Sequence, residues 1–427
     1  MPLLYNLGIK AYSAAVSIAA LWNEKARKWT DGRKNIFEQI QQALPVKVKK
    51  RLWMHVASLG EFEQGLPVIE KFNRDEWEII TTFFSPSGYE YRKNHKAADA
   101  VFYLPVDSKG NAAKFLDSVQ ADLVIFVKYD FWYYYLTEVR KRNIPLYLIS
   151  ALFREKQPFF RGSKLHREML LSFNHIFTQD ENSVKLLKSH GYSSASQAGD
   201  TRCDRVLQNA LVPKKFTVIE NFIGGTAHLS FGSAQDGSSQ TSTHKKVLVA
   251  GSSWPEEEEL LAAVYNGFKD ELKLIIAPHN INDAHISEIE KSFEGYKIAR
   301  YSKLTEATAA EYDIVIIDNI GMLSSLYQYG DVAMIGGAFR KGLHNILEAA
   351  VFEIPVIYGP PVSKYPEGRR LVAAGGGFIV NNKDELTTLL SGFLSQTEKR
   401  VSAGKKARAF IEDNAGAAGK IYERIQV

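Results

Sequence analysis

The sequence predicts an α/β protein of two doubly wound, Rossmann-like domains facing a cleft, with a membrane-associated helix ahead of them. Three observations carry that expectation. From residue 51 onward, short apolar runs alternate with segments of helical period, as repeated βα units and parallel sheets require. The runs fall into two series separated by a Gly-, Ser- and Thr-rich stretch at 224–243, which has the composition of a solvated loop. The 427 residues, 45% hydrophobic and 12% aromatic, also suffice to bury two ordinary cores.

The amino terminus is apolar over residues 3–22, yet Asn6, Lys10, Ser13 and Ser17 recur at steps of four, three and four and so share one helical stripe. Lys25, Arg27, Lys28, Arg33 and Lys34 follow. A helix with one polar stripe and a basic tail is suited to lie in the membrane interface, its cations drawn to anionic headgroups. The alternatives are a helix packed on the protein's own surface and a spanning helix, which would bury Lys10 mid-segment.

Strands are expected at 52–56, 78–84, 123–127, 146–149 and 175–178 in the first series, and at 246–250, 274–277, 314–317, 332–335 and 356–358 in the second. The resulting division is a membrane-associated segment at 1–35, a first Rossmann-like domain at 36–205, a linker or flexible loop at 206–245, and a second Rossmann-like domain at 246–427. The formal charge of +5 comes with no aromatic-basic repeat, so a nucleic-acid partner is not expected, whereas an anionic membrane or substrate suits it. The single cysteine, Cys203, forms no internal disulfide and gathers no metal, which points to the cytoplasm.

Ligands of such sheets bind beyond the strand carboxyl ends. The first strand runs into Ser58-Leu59-Gly60-Glu61, placing Glu61 where a carboxylate can take a proton from an attacking hydroxyl. Ser58 and Glu61 equally form S-x-x-E, a capping box, and spacing leaves both readings open. Further on, Gly336-Gly337 and then His344-Asn345-Ile346-Leu347-Glu348 follow a strand. Glycines admit close backbone approach, helix amides receive phosphate, and Glu348 can bond ribose hydroxyls. Asn345 as a helix cap is compatible with that cradle, while a His344/Glu348 metal pair lacks a third ligand. Gly251-Ser252-Ser253-Trp254-Pro255-Glu256 offers small hydroxyls at another helix start, and ordinary helix-start chemistry describes it equally well. Pro278-His279 and Gly199-Asp200-Thr201-Arg202 are weaker isolated signals that turn chemistry would also explain.

Taken in order, these segments resemble the Kdo transferases, which add 3-deoxy-D-manno-octulosonic acid (Kdo) from CMP-Kdo to a lipid A precursor in Gram-negative bacteria. The resemblance rests on Ser58-Leu59-Gly60-Glu61, Phe84-Ser85-Pro86-Ser87-Gly88-Tyr89-Glu90, Phe131-Trp132, and His344-Asn345-Ile346-Leu347-Glu348-Ala349-Ala350 with Ile354-Pro355-Val356. It implies the GT-B fold, an inverting transfer without metal or other cofactor, and a monotopic place on the cytoplasmic face of the inner membrane. It also implies Glu61 as general base, with Ser58, Gly60 and Asp130 on the acceptor side. Cytidine would lie around Pro278-His279 and the Ile320-Gly321-Met322 turn, ribose and phosphate at Asn345, Ile346, Leu347 and Glu348, with Ser252 and Gly337 assisting. Arg202 stands where the family usually has a charge-stabilising lysine, and Lys128 where it usually has an acid, so Lys128 would face the Kdo carboxylate or an acceptor phosphate instead. An arginine commonly preceding the histidine is replaced in Ala277-Pro278-His279. Another nucleotide-sugar transferase or epimerase of the same fold is one alternative. A membrane-bound nucleotide-sugar binder without turnover, prompted by Lys128, is the other.

Overall fold

The computed structural model describes residues 2–225, 245–340, 342–360 and 365–426. The chain divides into two compact units, Met1–Arg205 with Asn414–Val427, and Val206–Asp413. Most of the loop expected at 224–243 lies outside the described residues, as does the matching part of the expected linker.

The first unit is built on seven parallel strands: β1 (Lys50–Val56), β2 (Trp77–Phe83), β3 (Ala100–Tyr103), β4 (Leu123–Val127), β5 (Leu146–Ala151), β6 (His175–Thr178) and β7 (Ala195–Gln197). Their spatial order is β3-β2-β1-β4-β5-β6-β7. Successive residues of β1 alternate between two cores. Leu52, Met54 and Val56 pack with Phe62, Leu66, Val127 and Ile149, whereas Trp53 packs with Phe102, Phe115, Phe126 and Tyr135 on the other face. Helices cover both faces, which is why β4 reads Leu-Val-Ile-Phe-Val and is wholly buried. Each such fully buried side chain contributes about 1.5–3 kcal/mol relative to exposure.

The second unit repeats the plan with β8 (Lys246–Ser253), β9 (Leu272–Pro278), β10 (Ile298–Arg300), β11 (Ile314–Ile316), β12 (Val332–Ile335), β13 (Val356–Tyr358) and β14 (Gly377–Ile379), ordered β10-β11-β9-β8-β12-β13-β14. In each sheet one pair of neighbours marks where the chain reverses its direction of travel, β1/β4 in the first and β8/β12 in the second. At such a switch point the connections leave on opposite sides and open a crevice.

The chain end departs from the expected division. Residues 414–427 belong to the first unit, not to a domain running from 246 to 427. Ala417, Ala418 and Ile421 of the helix Ala417–Gln426 are buried against the core containing Leu66 and Phe72, and Tyr422 meets the Phe72 ring edge-on at 5.1 Å. The Asp204 carboxylate fastens that helix start by accepting the amide of Gly416 at 2.9 Å.

The amino-terminal helix Pro2–Ala19 is held where the Tyr5 hydroxyl donates to Asp107 at 2.5 Å and where Tyr12 meets the rings of Trp29 and Phe84. Asp107 also accepts the amides of Tyr134 and Tyr135, both at 3.2 Å, and so holds the start of the helix Tyr133–Lys141. Burial lifts its carboxyl to about 6 in spite of these donors. The expected polar stripe is split: Asn6 and Ser13 are half-buried, Lys10 and Ser17 exposed. Leu3, Leu4, Leu7 and Ile18 stand in solvent with 59–79% of their surface exposed, followed by Leu21 and Trp22. Among the described residues no helix is long and apolar enough to cross a membrane. One member of the expected basic tail turns inward, since Arg33 donates to the carbonyls of Trp29, Phe84 and Leu104 and lies over the Trp29 ring.

Candidate active site

In the first unit Ser58, Gly60, Glu61, Lys128 and Asp130 follow the carboxyl ends of β1 and β4, and Arg202 follows β7. Ser58 precedes the helix Leu59–Ile69 but its side chain caps no backbone amide. Its hydroxyl donates to the Glu61 carboxylate instead. The S-x-x-E spacing therefore builds a Ser-Glu couple and not the reciprocal capping box, leaving the half-buried Glu61 with its carboxylate beside a hydroxyl at the switch point. Gly60 is exposed, and a methyl there would meet only Ser58 Oγ at 3.8 Å.

Across the switch point, β4 is followed by Lys128, whose φ of 68° turns the chain sharply out of the strand. Asp130 then approaches a histidine that sequence reasoning passed over. His55 sits fully buried near the end of β1, with Nδ1 2.8 Å from Thr82 Oγ1 and Nε2 2.9 Å from Asp130 Oδ2. The Trp132 indole N–H donates to the same Nε2 at 3.0 Å, so Asp130 and Trp132 compete for one ring nitrogen. A histidine within the otherwise apolar run Leu52–Val56 was the available signal for His55. Arg202 opens the helix Thr201–Leu211 and donates to Asp200 through Nε at 3.0 and 3.1 Å and through Nη2 at 2.6 Å.

In the second unit the candidates surround the β8/β12 switch point. Gly336 and Gly337 follow β12, and a methyl on Gly336 would fall 2.2 Å from Ser252 O. Gly337 adopts a φ of 93°, which favours glycine, and its amide donates to the buried Glu257 carboxylate at 2.9 Å. Glu257 also accepts the Trp254 amide at 3.0 Å, and Ser253 Oγ donates to Glu258 at 2.7 Å. Burial pushes both carboxyls up. Ser252 lies half-buried with a φ of 50°.

Three rings frame the end of β9. Trp254 stacks on His279 at 4.6 Å between centroids, His279 meets His344 at 4.7 Å, and the Trp254 indole N–H donates to His344 Nε2 at 3.0 Å. Burial, aided by the neighbouring His279, lowers His344 to about 4, so at neutral pH it is an uncharged acceptor. Trp254 was read only as part of a helix start, because nothing in its local spacing announces a partner ninety residues on.

The expected cradle at 344–348 is narrower than its motif suggested. The helix there is a single turn, Leu347–Ala350, and its first amide is taken by Asn345 Oδ1 at 3.2 Å. Asn345 Nδ2 donates to Glu348 at 2.9 Å, so the two polar side chains hold each other. Ile346 and Leu347 are fully buried, and their side chains serve the core; His344, Asn345 and Glu348 of this string are half-buried. Pro278 closes β9 and is buried, Ile320 is 71% exposed, Gly321 turns with a φ of 92°, and Met322 is buried. Among the described residues no three His, Cys, Asp or Glu side chains gather as a metal site.

Residues 31–205, which include Glu61, Lys128, Asp130 and Arg202, match the family described as 3-deoxy-D-manno-octulosonic-acid transferase (kdotransferase). Similar proteins are the 3-deoxy-D-manno-octulosonic acid transferases of Aquifex aeolicus, 28% identical over 87% of this chain and 95% of its own, and of Chlamydophila psittaci, 25% identical over 87% and 83%. Residues 31–205 thus carry a Kdo transferase domain, and the chain is similar to Kdo transferases over most of its length. It is a glycosyltransferase of the GT-B type. At the level of fold alone, it is similar to UDP-GlcNAc 2-epimerase from Neisseria meningitidis bound to UDP-GlcNAc (TM-score 0.60, 14% identity, 88% of this chain and 99% of that one). It is likewise similar to MurG from Acinetobacter baumannii (TM-score 0.53, 12% identity, 88% and 99%). In this chain the motif-bearing residues occupy both switch points, Glu61, Lys128 and Asp130 at one and Ser252, Gly337, Asn345 and Glu348 at the other.

Proposed function

We propose that the chain transfers Kdo from CMP-Kdo to a lipid A precursor, with inversion and without a catalytic metal. The observation that carries this reading is Glu61: within the family-matched domain, its carboxylate lies at the β1/β4 switch point and is held by the Ser58 hydroxyl. A carboxylate so placed takes the proton of the acceptor hydroxyl as that oxygen attacks the anomeric carbon, and CMP departs from the opposite side. Arg202 and Lys128 supply positive charge against the anionic groups of the reactants. In the second unit, Ser252 and the Gly337 turn take the phosphate, Asn345 and Glu348 the ribose, and Pro278, His279 and the 320–322 turn the cytosine.

Incubating the purified chain with CMP-Kdo and a tetraacylated lipid A precursor should yield Kdo-bearing lipid, and CMP should compete while UDP does not. Competition by UDP, or CMP binding without product, would replace this reading by another nucleotide-sugar activity or by a binder without turnover.

The place of action in this reading is the cytoplasmic face of the inner membrane, held monotopically. Support comes from the outward row Leu3, Leu4, Leu7, Ile18, Leu21 and Trp22 beside Lys25, Arg27 and Lys28. Replacing Leu4 and Leu7 with serine removes two large apolar contacts and is expected to weaken binding to anionic phospholipid vesicles by roughly tenfold or more. Unchanged sedimentation with vesicles would refute a role for this helix.

A further inference from the structure

Lys128 brings a cation to the turn directly after β4, and Asp200 answers it. The β4 end and the start of the helix Thr201–Leu211 are neighbours. Lys128 donates its amide to Ile149 O at 2.9 Å, and the next residue of β5, Ser150, shares a 2.8 Å hydroxyl contact with Thr201, both side chains being buried. Asp200 directly precedes Thr201 and is gripped by the Arg202 guanidinium through contacts of 2.6–3.1 Å, with the Arg202 amide as a further donor at 3.0 Å. Burial by itself would raise the Asp200 carboxyl, but Arg202 and the nearby charge of Lys128 outweigh it and hold Asp200 below the ordinary carboxylate range. It is therefore ionised at neutral pH and senses both cations.

We infer that Asp200 is a positioning residue for transfer, a carboxylate that locks the Arg202 guanidinium in one orientation and offsets Lys128, so that the cluster presents one net positive charge. The inference rests on the transfer reading above. An arginine held by a planar two-oxygen partner keeps its remaining N–H groups aimed in a fixed direction. Without Asp200, two neighbouring cations repel and the guanidinium turns away from its orientation, which costs charge stabilisation in the transition state more than substrate binding.

The test compares wild type with Asp200→Asn, Asp200→Glu, Lys128→Met and the double variant Asp200→Asn/Lys128→Met, using CMP-Kdo and the tetraacylated acceptor at matched folded fraction. Asp200→Asn should lose roughly tenfold or more in kcat with KM changed by less than about threefold. Asp200→Glu, which keeps the charge, should recover most of that loss. Adding Lys128→Met to Asp200→Asn should raise kcat above that of Asp200→Asn alone, because one of the repelling cations is gone. Equal losses in the Asn and Glu variants, or losses in the double variant that merely multiply, would overturn the inference. If Asp200→Asn does not fold, the double variant is set against Lys128→Met, where equal kcat overturns it. A wild type without Kdo transfer defeats the transfer reading itself. In that event the melting temperatures of the four folded proteins still tell the cluster apart: coupled shifts keep the Lys128–Asp200–Arg202 unit, and additive shifts dismiss it.

Discussion

Glu61→Gln is expected to lower Kdo transfer by roughly a hundredfold or more at unchanged CMP affinity, the scale on which a positioned general base acts. That corresponds to about 3 kcal/mol or more of transition-state stabilisation. Glutamine is nearly the same size and can still receive the Ser58 hydroxyl, so the substitution removes basicity and little else. The comparison with Ser58→Ala sharpens it. If the Ser58 hydroxyl orients the carboxylate, its loss should cost less than the loss of the base, because the carboxylate remains. The readout is initial-rate product formation with saturating CMP-Kdo. Near-normal turnover by Glu61→Gln would move the base to another carboxylate, with Asp130 the first to examine because it lies across the same switch point against His55.

Gly336→Ala should disable the second switch point. A methyl on Gly336 would sit 2.2 Å from Ser252 O and 2.7 Å from Ser253 Cα. Both obstacles are backbone atoms of β8, so no side-chain rotation relieves the clash. Gly336 also donates its amide to Gly251 O at 3.0 Å, a rung between β8 and the chain leaving β12. Forcing these segments apart is expected to cost about 1–3 kcal/mol of stability, the usual scale of overpacking. It should also weaken CMP binding by on the order of tenfold or more, since Ser252 and Gly337 move with them. Gly110→Ala is the matched control: a methyl there meets nothing within 4 Å, and in the helix Lys109–Val119 alanine should be neutral or stabilising by up to about 1 kcal/mol. Calorimetric titration with CMP and thermal unfolding of both variants make the comparison. Equal CMP affinity in Gly336→Ala would show that the nucleotide does not use this crevice.

The strands that the sequence revealed and those it hid divide cleanly. All ten expected strands are present, and the four without an expectation, β3, β7, β10 and β14, are the edge strands of the two sheets. Interior strands of a parallel sheet are covered on both faces and therefore read as unbroken apolar runs, as Leu-Val-Ile-Phe-Val does in β4. The edge strands have three or four residues, and Ala-Ser-Gln of β7 or Ile-Ala-Arg of β10 carries no such run. Their pairing is supplied by a neighbour already in place, not by their own composition.

The same distinction runs through the candidate site. Glycine turns, the Glu61 position and the Asn345–Glu348 pair are local in sequence, so the alternation of strand and helix places them at strand carboxyl ends before any coordinates are known. What local spacing left undecided was the state of each side chain. S-x-x-E is compatible with a cap or with a Ser-Glu couple, and the couple is what the packed strand end adopts. Ile346 and Leu347 stand within the motif string yet turn into the core, because a one-turn helix must bury its apolar side somewhere.

The sequence by itself determined the alternating α/β plan and the position of the motif residues along it, since hydrophobic periodicity and glycine placement are written residue by residue. Only the tertiary structure decided which distant side chains share an environment. His55 meets Asp130, Trp254 meets His279 and His344, and the terminal helix returns to the first unit. These partners lie tens to hundreds of residues apart, and packing, not local propensity, brings them within hydrogen-bond or stacking distance.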